Sequence, residues 1–203
     1  TITDTYMKGF RDFDIEKAYE AMKRNSKEAT MLSRHIGKDW RLNELDKVYL
    51  EKGFYPAKPS DQPEWVKEVG FGRQSVALTL ENCYDDWCMS ILAKELGKED
   101  DYKYYLNRAY NYRNVFDTKS GFMRPKTADG KWIEPFDPIW SGGQGGRDFY
   151  TENNGWNYTW YVLHDPQGLI NLMGGQEPFV ANRCLRRMSH YIRSMIFLNN
   201  IQI

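Results

Sequence analysis

A dense group of polar and aromatic residues between positions 148 and 161 has the composition of a carbohydrate site. It holds one embedded carboxylate, Glu152, among carboxamides and aromatic rings (Asn153, Asn154, Asn157, Tyr150, Trp156, Tyr158, Trp160 and Tyr161). Aromatic faces stack on the C–H faces of sugars, carboxamides bond vicinal hydroxyls, and an embedded carboxyl can donate a proton. A buried helix rich in tryptophan and tyrosine, with polar residues that only cap its start, is the structural alternative.

The same region carries short motifs that continue in register along the chain. They are Tyr150-Thr151-Glu152, Asn154, Trp156, Tyr158-Thr159-Trp160, His164-Asp165, Gln167-Gly168-Leu169-Ile170 and Met173-Gly174-Gly175. Further motifs lie upstream at Tyr84-Asp85-Asp86-Trp87-Cys88, Gly121-Phe122-Met123-Arg124 and Glu134-Pro135-Phe136-Asp137-Pro138. Together, over roughly residues 5–181, they resemble the signature of the glycoside hydrolase family 92 α-mannosidases. The chain departs from that pattern at Asn153, Gly155 and Asn157, where the family has Gly, Ala and Gln.

The resemblance implies an inverting, calcium-dependent exo-α-mannosidase that removes terminal mannose from oligosaccharides such as N-glycans. It also implies a bacterial, extracytoplasmic enzyme, either periplasmic or secreted, whose catalytic fold is an (α/α)₆ toroid. In that mechanism Ca²⁺ holds two mannose hydroxyls, one carboxyl protonates the leaving oxygen, and a second carboxylate activates water. The family motifs that carry the second carboxylate and the calcium ligands lie downstream of the resemblance and do not occur in these residues.

Site residues follow from the resemblance position by position. Glu152 takes the place of the general acid, and Asn154, Trp156 and His164 take places consistent with substrate contact. Each has a structural alternative: Glu152 could cap the following helix, Asn154 and Trp156 could brace the loop, and His164 could lie in the core. Asp165 is interpreted as a helix N-cap.

Two other groups of charged residues are interpreted as structural. Asp85 and Asp86 lie on an apolar helix, where a buried carboxylate must be paired, and Arg108 or Arg113 is the expected partner. Arg124 is expected to form a salt bridge.

Bulk composition excludes several classes of function. The chain has 203 residues, with 28 Lys and Arg balanced by 28 Asp and Glu, so no nucleic acid or other polyanion is indicated as a partner. No apolar run reaches the length of a membrane span, and no signal peptide is expected at Thr1. Cys83, Cys88 and Cys184 form no metal or redox motif, and a disulfide between Cys83 and Cys88 is not expected.

Helical periodicity dominates the sequence and predicts an all-α fold. Helices are predicted after the N-cap Asp14, over Asp39–Lys52, over Ser75–Leu96, and from Asp100 or Asp101 as far as Phe116. Two more are predicted over Asn154–Val162 and from Asp165 to Gly174. Long helical hairpins with site-bearing loops are typical of a toroid, of which these helices would form only a part.

The organisation along the chain predicts one incomplete domain. Residues 117–149 are rich in turn-forming residues and are predicted to be an irregular functional loop, and residues 1–181 are assigned to a partial glycosidase domain. Residues 182–203 match no recognised pattern and are treated as a separate tail, whether frameshifted, truncated or discontinuous. The alternative to a mannosidase is a non-catalytic helical fragment, or a carbohydrate-binding remnant that keeps the acid and lacks the base.

Overall fold

Helix is the predominant secondary structure of the chain, as the sequence predicts. The computed structural model describes residues 1–29, 44–66, 71–140 and 148–182. The α-helices are α1 (Ile2–Met7), α2 (Ile15–Glu28), α3 (Glu44–Lys52), α4 (Ser75–Glu95), α5 (Glu99–Ala109), α6 (Gly155–Tyr158) and α7 (Pro166–Leu172). A 3₁₀ helix (Tyr110–Val115) continues α5, and residues 176–182 are also helical. None of the described helices is both long and apolar enough to cross a membrane.

Some predictions fall outside the described residues. These are the start of the second predicted helix at Asp39, Cys184, and the tail beyond residue 182. The two described cysteines, Cys83 and Cys88, are both free, as predicted.

Helices α4 and α5 form the predicted helical hairpin and pack along each other. α4 ends at Glu95, and Gly97 follows with a φ of +70°, a left-handed conformation that glycine adopts without steric cost. α5 begins at Glu99, close to the predicted start at Asp100. The turn between the two helices therefore lies where the sequence predicts it.

The end of α5 differs from the prediction. The apolar stripe predicts a helix as far as Phe116, but the α-helix stops at Ala109 and the chain tightens into the 3₁₀ helix. Within that tighter segment, Asn114 donates through Nδ2 to the carbonyl oxygen of Gly53 at 3.2 Å. A contact with a distant segment therefore accompanies the change of helix type, and the local sequence gives no sign of it.

The main hydrophobic core lies between α4, the 3₁₀ helix and the segment that holds α6 and α7. Its buried members include Val76, Leu80, Cys83, Tyr112, Met123, Tyr150, Tyr158 and Leu169. A second cluster joins α2 to the α4–α5 hairpin around Tyr19, Met89, Leu92 and Tyr105. The residues 148–162, predicted to form a site, are thus attached directly to the largest core.

The excursion after the 3₁₀ helix is irregular apart from a short hairpin, as predicted for the part that is described. Strands β3 (Phe116–Asp117) and β4 (Phe122–Met123) pair antiparallel, and another pair, β1 (Trp65–Val66) and β2 (Phe71–Gly72), lies earlier in the chain. Arg124 organises the excursion, since its buried guanidinium bonds Asp117 Oδ2 at 2.8 Å and Glu134 Oε1 at 2.6 Å. The predicted salt bridge of Arg124 is confirmed.

Candidate active site

The segment that leads to Glu152 is anchored at both the core and the start of α4. Tyr150 is buried, and its hydroxyl donates to the carbonyl oxygen of Met123 at 2.8 Å. The carbonyl oxygen of Phe149 accepts from the backbone amides of Val76 and Ala77, at 3.0 and 3.1 Å. These amides belong to the first turn of α4, where backbone amides have no hydrogen-bond partners within the helix. The carbonyl oxygen of Phe149 therefore satisfies the amides at the start of α4.

Glu152 lies in a tight turn with its side chain exposed on the surface of this chain. Its φ is +53°, in the left-handed region that residues other than glycine rarely adopt. Such a conformation costs about 1–3 kcal/mol and persists only where the surroundings impose it. The conformation at Glu152 is therefore imposed by its surroundings, in which the preceding residues Phe149 and Tyr150 are held by α4 and the core.

Asn154, and not Glu152, caps the helix that follows, although capping was the structural alternative named for Glu152 and bracing the loop the one named for Asn154. Its Oδ1 accepts from the backbone amides of Trp156 at 3.1 Å and Asn157 at 3.4 Å, which makes it the N-cap of α6. Its Nδ2 donates to the carbonyl oxygen of Ile139 at 3.4 Å. Both polar atoms of the carboxamide are thus bonded to the backbone. A sugar hydroxyl that contacted Asn154 would have to share Oδ1 or Nδ2 with these hydrogen bonds.

Trp156 is half-buried beside the same turn. Its ring meets the ring of Phe122 edge to face, with centroids 5.5 Å apart and planes at 73°. Its backbone amide also donates to the carbonyl oxygen of Pro138 at 3.2 Å. Trp156 therefore joins the Glu152 turn to β4 and to the loop before the site.

The helix that follows is much shorter than predicted. The sequence predicts a helix over Asn154–Val162 with Trp156 and Trp160 on one face, but α6 ends at Tyr158. Thr159 is buried at this point, and its hydroxyl accepts from the backbone amide of Met123 at 3.1 Å. The chain turns there, and Trp160 packs on Phe179. The two tryptophans consequently contact different parts of the structure.

Asp165 is the N-cap of α7, as predicted. Its Oδ1 accepts from the amide of Gly168 at 2.9 Å, and its Oδ2 accepts from the Tyr112 hydroxyl at 2.7 Å and from Arg113 at 3.3 Å. Burial acts to raise the pKa of Asp165, but these hydrogen bonds and the charge of Arg113 outweigh it and lower the pKa. The carboxylate is therefore occupied in joining α7 to the 3₁₀ helix.

His164 lies in an aromatic pocket formed by Tyr84, Trp87 and Tyr112, with ring centroids 5.7–6.4 Å from its own. Its Nε2 donates to the carbonyl oxygen of Ala109 at 2.8 Å, and burial lowers its pKa, which favours the neutral ring. The structure thus places Glu152, Asn154 and Trp156 in one short segment that leads into α6, whereas His164 contacts α4, the end of α5 and the 3₁₀ helix.

Of the two aspartates expected to be buried and paired, Asp86 has that structural role. Asp86 is buried and accepts from Arg108 Nε at 2.9 Å and from the Tyr49 hydroxyl at 3.1 Å. Burial raises the pKa of Asp86 to about 6, although the neighbouring Arg108 opposes that shift. Asp85, by contrast, is exposed.

One residue of the site region was not singled out by the sequence analysis. Gln74 immediately precedes α4, is buried, and has a φ of +53°, like Glu152. Its Oε1 accepts from the hydroxyl of Thr151 at 2.6 Å, directly beside the acid position. The only sequence signal was a polar residue before a helix start, which is too common to indicate a site.

Comparison with known proteins identifies the family. Residues 1–189 match the glycosyl hydrolase family 92 catalytic domain. The chain belongs to glycosyl hydrolase family 92. It is 30% identical over 205 residues to an uncharacterized secreted glycosidase of Arthroderma benhamiae, in a match that covers 89% of this chain and 24% of that protein.

Solved family 92 structures are similar in both sequence and fold. The inverting mannosidase BT2199 of Bacteroides thetaiotaomicron is 34% identical with a TM-score of 0.71, over 89% of this chain and 22% of that one. The α-mannosidase BT3965 of the same species, in complex with mannoimidazole, is 36% identical with a TM-score of 0.71, over 89% and 21%. The chain thus spans about a quarter or less of the length of these relatives.

The family 92 motifs quoted from the sequence meet one another in the fold. Phe122, from the Gly121–Arg124 motif, packs on Trp156 and, at 5.9 Å between centroids, on Phe136 from the Glu134–Pro138 motif. The backbone amide of Trp156 also donates to the carbonyl oxygen of Pro138, so each of the three motifs contacts the other two. Motifs that are separated in sequence therefore surround the start of α6.

The calcium ion implied by the resemblance finds no set of ligands in the part of the chain that the structure describes. Across residues 1–29, 44–66, 71–140 and 148–182, no three His, Cys, Asp or Glu side chains lie close enough to hold a metal ion. The described acidic residues near the site also have other partners, as Asp165 and Asp117 show. These residues therefore do not fit a calcium site by themselves.

Proposed function

We propose that this chain is part of the catalytic domain of an inverting exo-α-mannosidase, with Glu152 as its general acid. The observation that carries the proposal is the turn at Glu152, an exposed residue with a left-handed backbone between the anchored Tyr150 and Asn154, the N-cap of α6. The family membership and the mannosidases among its relatives support the choice of reaction. The substrate class is a mannose-containing oligosaccharide, with N-glycans as the expected source.

In the proposed reaction, Glu152 donates its proton to the glycosidic oxygen as the bond to mannose breaks. A second carboxylate, about 6.5–9.5 Å away, accepts a proton from a water that attacks the opposite face of the sugar. One bond to the anomeric carbon forms as the other breaks, so the configuration inverts. The described residues supply the acid, and we place the base in a segment beyond this chain.

The neighbouring residues have supporting roles in this proposal. We propose Trp156 as an aromatic surface for the sugar, and Asn154, which holds the turn, as a contact for one of its hydroxyls. We also propose that His164 contributes to the substrate pocket through the aromatic residues around it. Trp156 is also placed to exclude water from the proton donor.

The remaining features of the enzyme are proposed from the resemblance. We place the helices in part of an (α/α)₆ toroid, with residues 1–181 as the partial catalytic domain and residues 182–203 as a separate tail; the family match itself extends to residue 189. Calcium dependence would arise from ligands beyond the described residues. An extracytoplasmic location is supported by the secreted glycosidase among the relatives.

A non-catalytic helical fragment, or a carbohydrate-binding remnant without the base, is the second candidate. The observation that favours it is coverage, because the chain corresponds to only 22% of the mannosidase BT2199 and 24% of the secreted glycosidase. The two candidates differ in whether the reading frame continues into the segments that carry the base. Sequencing the gene through codon 203 and beyond separates them.

The activity test compares this chain with the full-length gene product. The full-length protein should release mannose from α-1,2-mannobiose, with β-mannose as the first product by proton NMR, and a chelator should abolish the release. The 203-residue chain alone should release none, since general-base help is typically worth ~10²–10⁴-fold. Chelator-sensitive turnover by the chain alone would show that the base lies within it. Absence of turnover by the full-length protein on any α-mannobiose would support the non-catalytic alternative.

A further inference from the structure

Two residues share an unusual backbone conformation, one directly before α4 and one within residues 148–153, the segment around the proposed acid that we call the acid turn. Gln74 and Glu152 both have a φ of +53°, and they are the only non-glycine residues with positive φ in the parts of the chain that the structure describes. They are far apart in sequence, so the coincidence arises from the tertiary structure. Left-handed conformations of this kind persist where the surrounding contacts impose them, and they concentrate at functional sites.

The two strained positions are connected through a single intervening residue. The hydroxyl of Thr151 donates to Oε1 of Gln74 at 2.6 Å, and Thr151 is the residue directly before Glu152. The backbone amide of Gln74 donates to the carbonyl oxygen of Asp148 at 2.8 Å. Gln74 therefore holds the acid turn at two points, one at its start and one immediately next to the acid.

The position of Gln74 is itself rigid. It is 6% exposed and precedes α4, whose first turn is bound to the carbonyl oxygen of Phe149. The other end of its carboxamide, Nε2, is buried and has no hydrogen-bond partner among the described residues. An exchange of the amide oxygen and nitrogen would still leave one end without a partner. A glycine would adopt this φ freely and bury no amide, so the side chain is not what the helix start requires.

We propose that Gln74 is a positioning residue for the general acid Glu152, acting through the hydroxyl of Thr151. The proposal rests on the proposed function of Glu152. Helix α4 is the longest helix described. Gln74 connects this helix to the acid turn and thereby restrains the turn in which Glu152, an exposed residue, has its left-handed backbone. Proton transfer to a glycosidic oxygen depends on the placement of the carboxyl, and a misplacement of about 1 Å can cost 10²-fold in rate.

The test uses Gln74→Gly in the full-length protein. This change removes the side-chain bond and relieves the left-handed strain, so thermal stability should be unchanged or higher. The kcat for an unactivated α-mannobiose should nevertheless fall about 10- to 100-fold. An activated dinitrophenyl α-mannoside, whose leaving group needs little protonation, should be affected several-fold less, and KM should change little. A merely structural role would lower stability and reduce the turnover of both substrates alike.

Thr151 supplies the matched variants. Thr151→Val removes the hydroxyl at nearly constant shape and should reproduce the substrate-selective loss, whereas Thr151→Ser keeps the hydroxyl and should retain most of the activity. In a Glu152→Gln background, Gln74→Gly should have no further effect on the unactivated substrate, because there is no acid left to position. Equal losses for both substrates, or additive losses in that background, would overturn the positioning role.

The same experiments separate this inference from the proposed function. If Glu152→Gln itself shows no dependence on the leaving group, then Glu152 is not the general acid, and the proposed function fails at that residue. If Glu152→Gln shows the dependence but Gln74→Gly and Thr151→Val leave kcat unchanged, only the positioning inference fails.

Discussion

Arg108 donates through Nε to the Oδ2 oxygen of Asp86 at 2.9 Å, and both side chains are buried between α4 and α5. Tyr49 of α3 donates to the same oxygen, and the Tyr104 hydroxyl accepts from Arg108 Nη1 at 3.0 Å. Three helices therefore share one ion pair. Asp86 belongs to the Tyr84–Cys88 motif, so this residue of the family motif stabilises the scaffold.

Removing one partner of this pair should be strongly destabilising. Asp86→Asn leaves the Arg108 guanidinium buried without its counter-charge, and we expect the free energy of unfolding to fall by about 3–5 kcal/mol. Urea denaturation followed by circular dichroism measures it. Asp85→Asn is the matched control. Because Asp85 is exposed, this change should alter the free energy of unfolding by less than about 0.5 kcal/mol. Equal effects at the two positions would contradict a buried ion pair.

Restoring the family alanine at position 155 should destabilise this chain. A Cβ on Gly155 would lie 2.9 Å from the Tyr150 hydroxyl and 3.3 Å from the carbonyl oxygen of Pro138. We expect Gly155→Ala to lower the free energy of unfolding by about 1–3 kcal/mol, as is usual for overpacking. Tyr150→Phe removes the clashing oxygen, so the double variant should be more stable than the sum of the two single effects. Strict additivity in this double-mutant cycle would show that the hydroxyl and the added methyl do not meet.

Glu64 should make stability depend on pH in the direction opposite to an ordinary carboxylate. It is buried, its Oε1 accepts from the backbone amide of Lys58 at 2.5 Å, and burial raises its pKa from 4.5 to about 7. Because its pKa is higher in the folded state, its contribution is present at low pH and is lost as pH rises through about 7. Glu64→Gln should therefore gain about 1–2 kcal/mol relative to the wild type between pH 5.5 and pH 8.

The control for Glu64 is Asp61→Asn, an exposed carboxylate in the same loop. Its stability should follow that of the wild type between the two pH values. Chemical denaturation at each pH measures the difference, and a parallel pH dependence for Glu64→Gln and the wild type would show that Glu64 does not titrate in this range.

Substitution of the proposed acid should depend on the leaving group. In the full-length protein, Glu152→Gln should lower kcat/KM for α-1,2-mannobiose by about 10²–10⁴-fold, because the glycosidic oxygen then leaves without a proton. The loss should be much smaller for a dinitrophenyl α-mannoside. Steady-state kinetics on both substrates measures this. Glu177→Gln, which changes an exposed carboxylate outside the acid turn, should leave both rates unchanged.

Local signals in the sequence predicted the helix boundaries that depend only on neighbouring residues. Asp14 caps α2 by accepting from the amide of Lys17 at 3.0 Å, and Gly97 ends the α4 region in a left-handed turn. Asp165 and Pro166 start α7, as the sequence indicates. Each signal acts within about one helical turn, where a side chain or a permitted φ determines the backbone conformation directly.

The family motifs that hold Phe122, Phe136 and Trp156 meet in the fold. They did not indicate what each residue would do there. Tyr150, one of the aromatic residues of the predicted site, is buried and donates to the carbonyl oxygen of Met123, and the carboxamide of Asn154 caps a helix. A sequence pattern records residue types, whereas the hydrogen-bond partner of a side chain is known only once the whole chain is in place.

Only the tertiary structure decided the length of α6 and the strain at the acid turn. Periodicity favoured a helix as far as Val162, but the buried Thr159 bonds β4 and ends it. Nothing near Glu152 in the sequence predicts its left-handed backbone, because the residues before it, Asp148, Phe149 and Thr151, bond the start of α4 at residues 74–77. The sequence by itself therefore determined the family and the helical class, and it singled out the carboxylate that we propose as the acid. The conformation that presents this carboxylate was decided by hydrogen bonds between segments about 75 residues apart, which form only when the chain has folded.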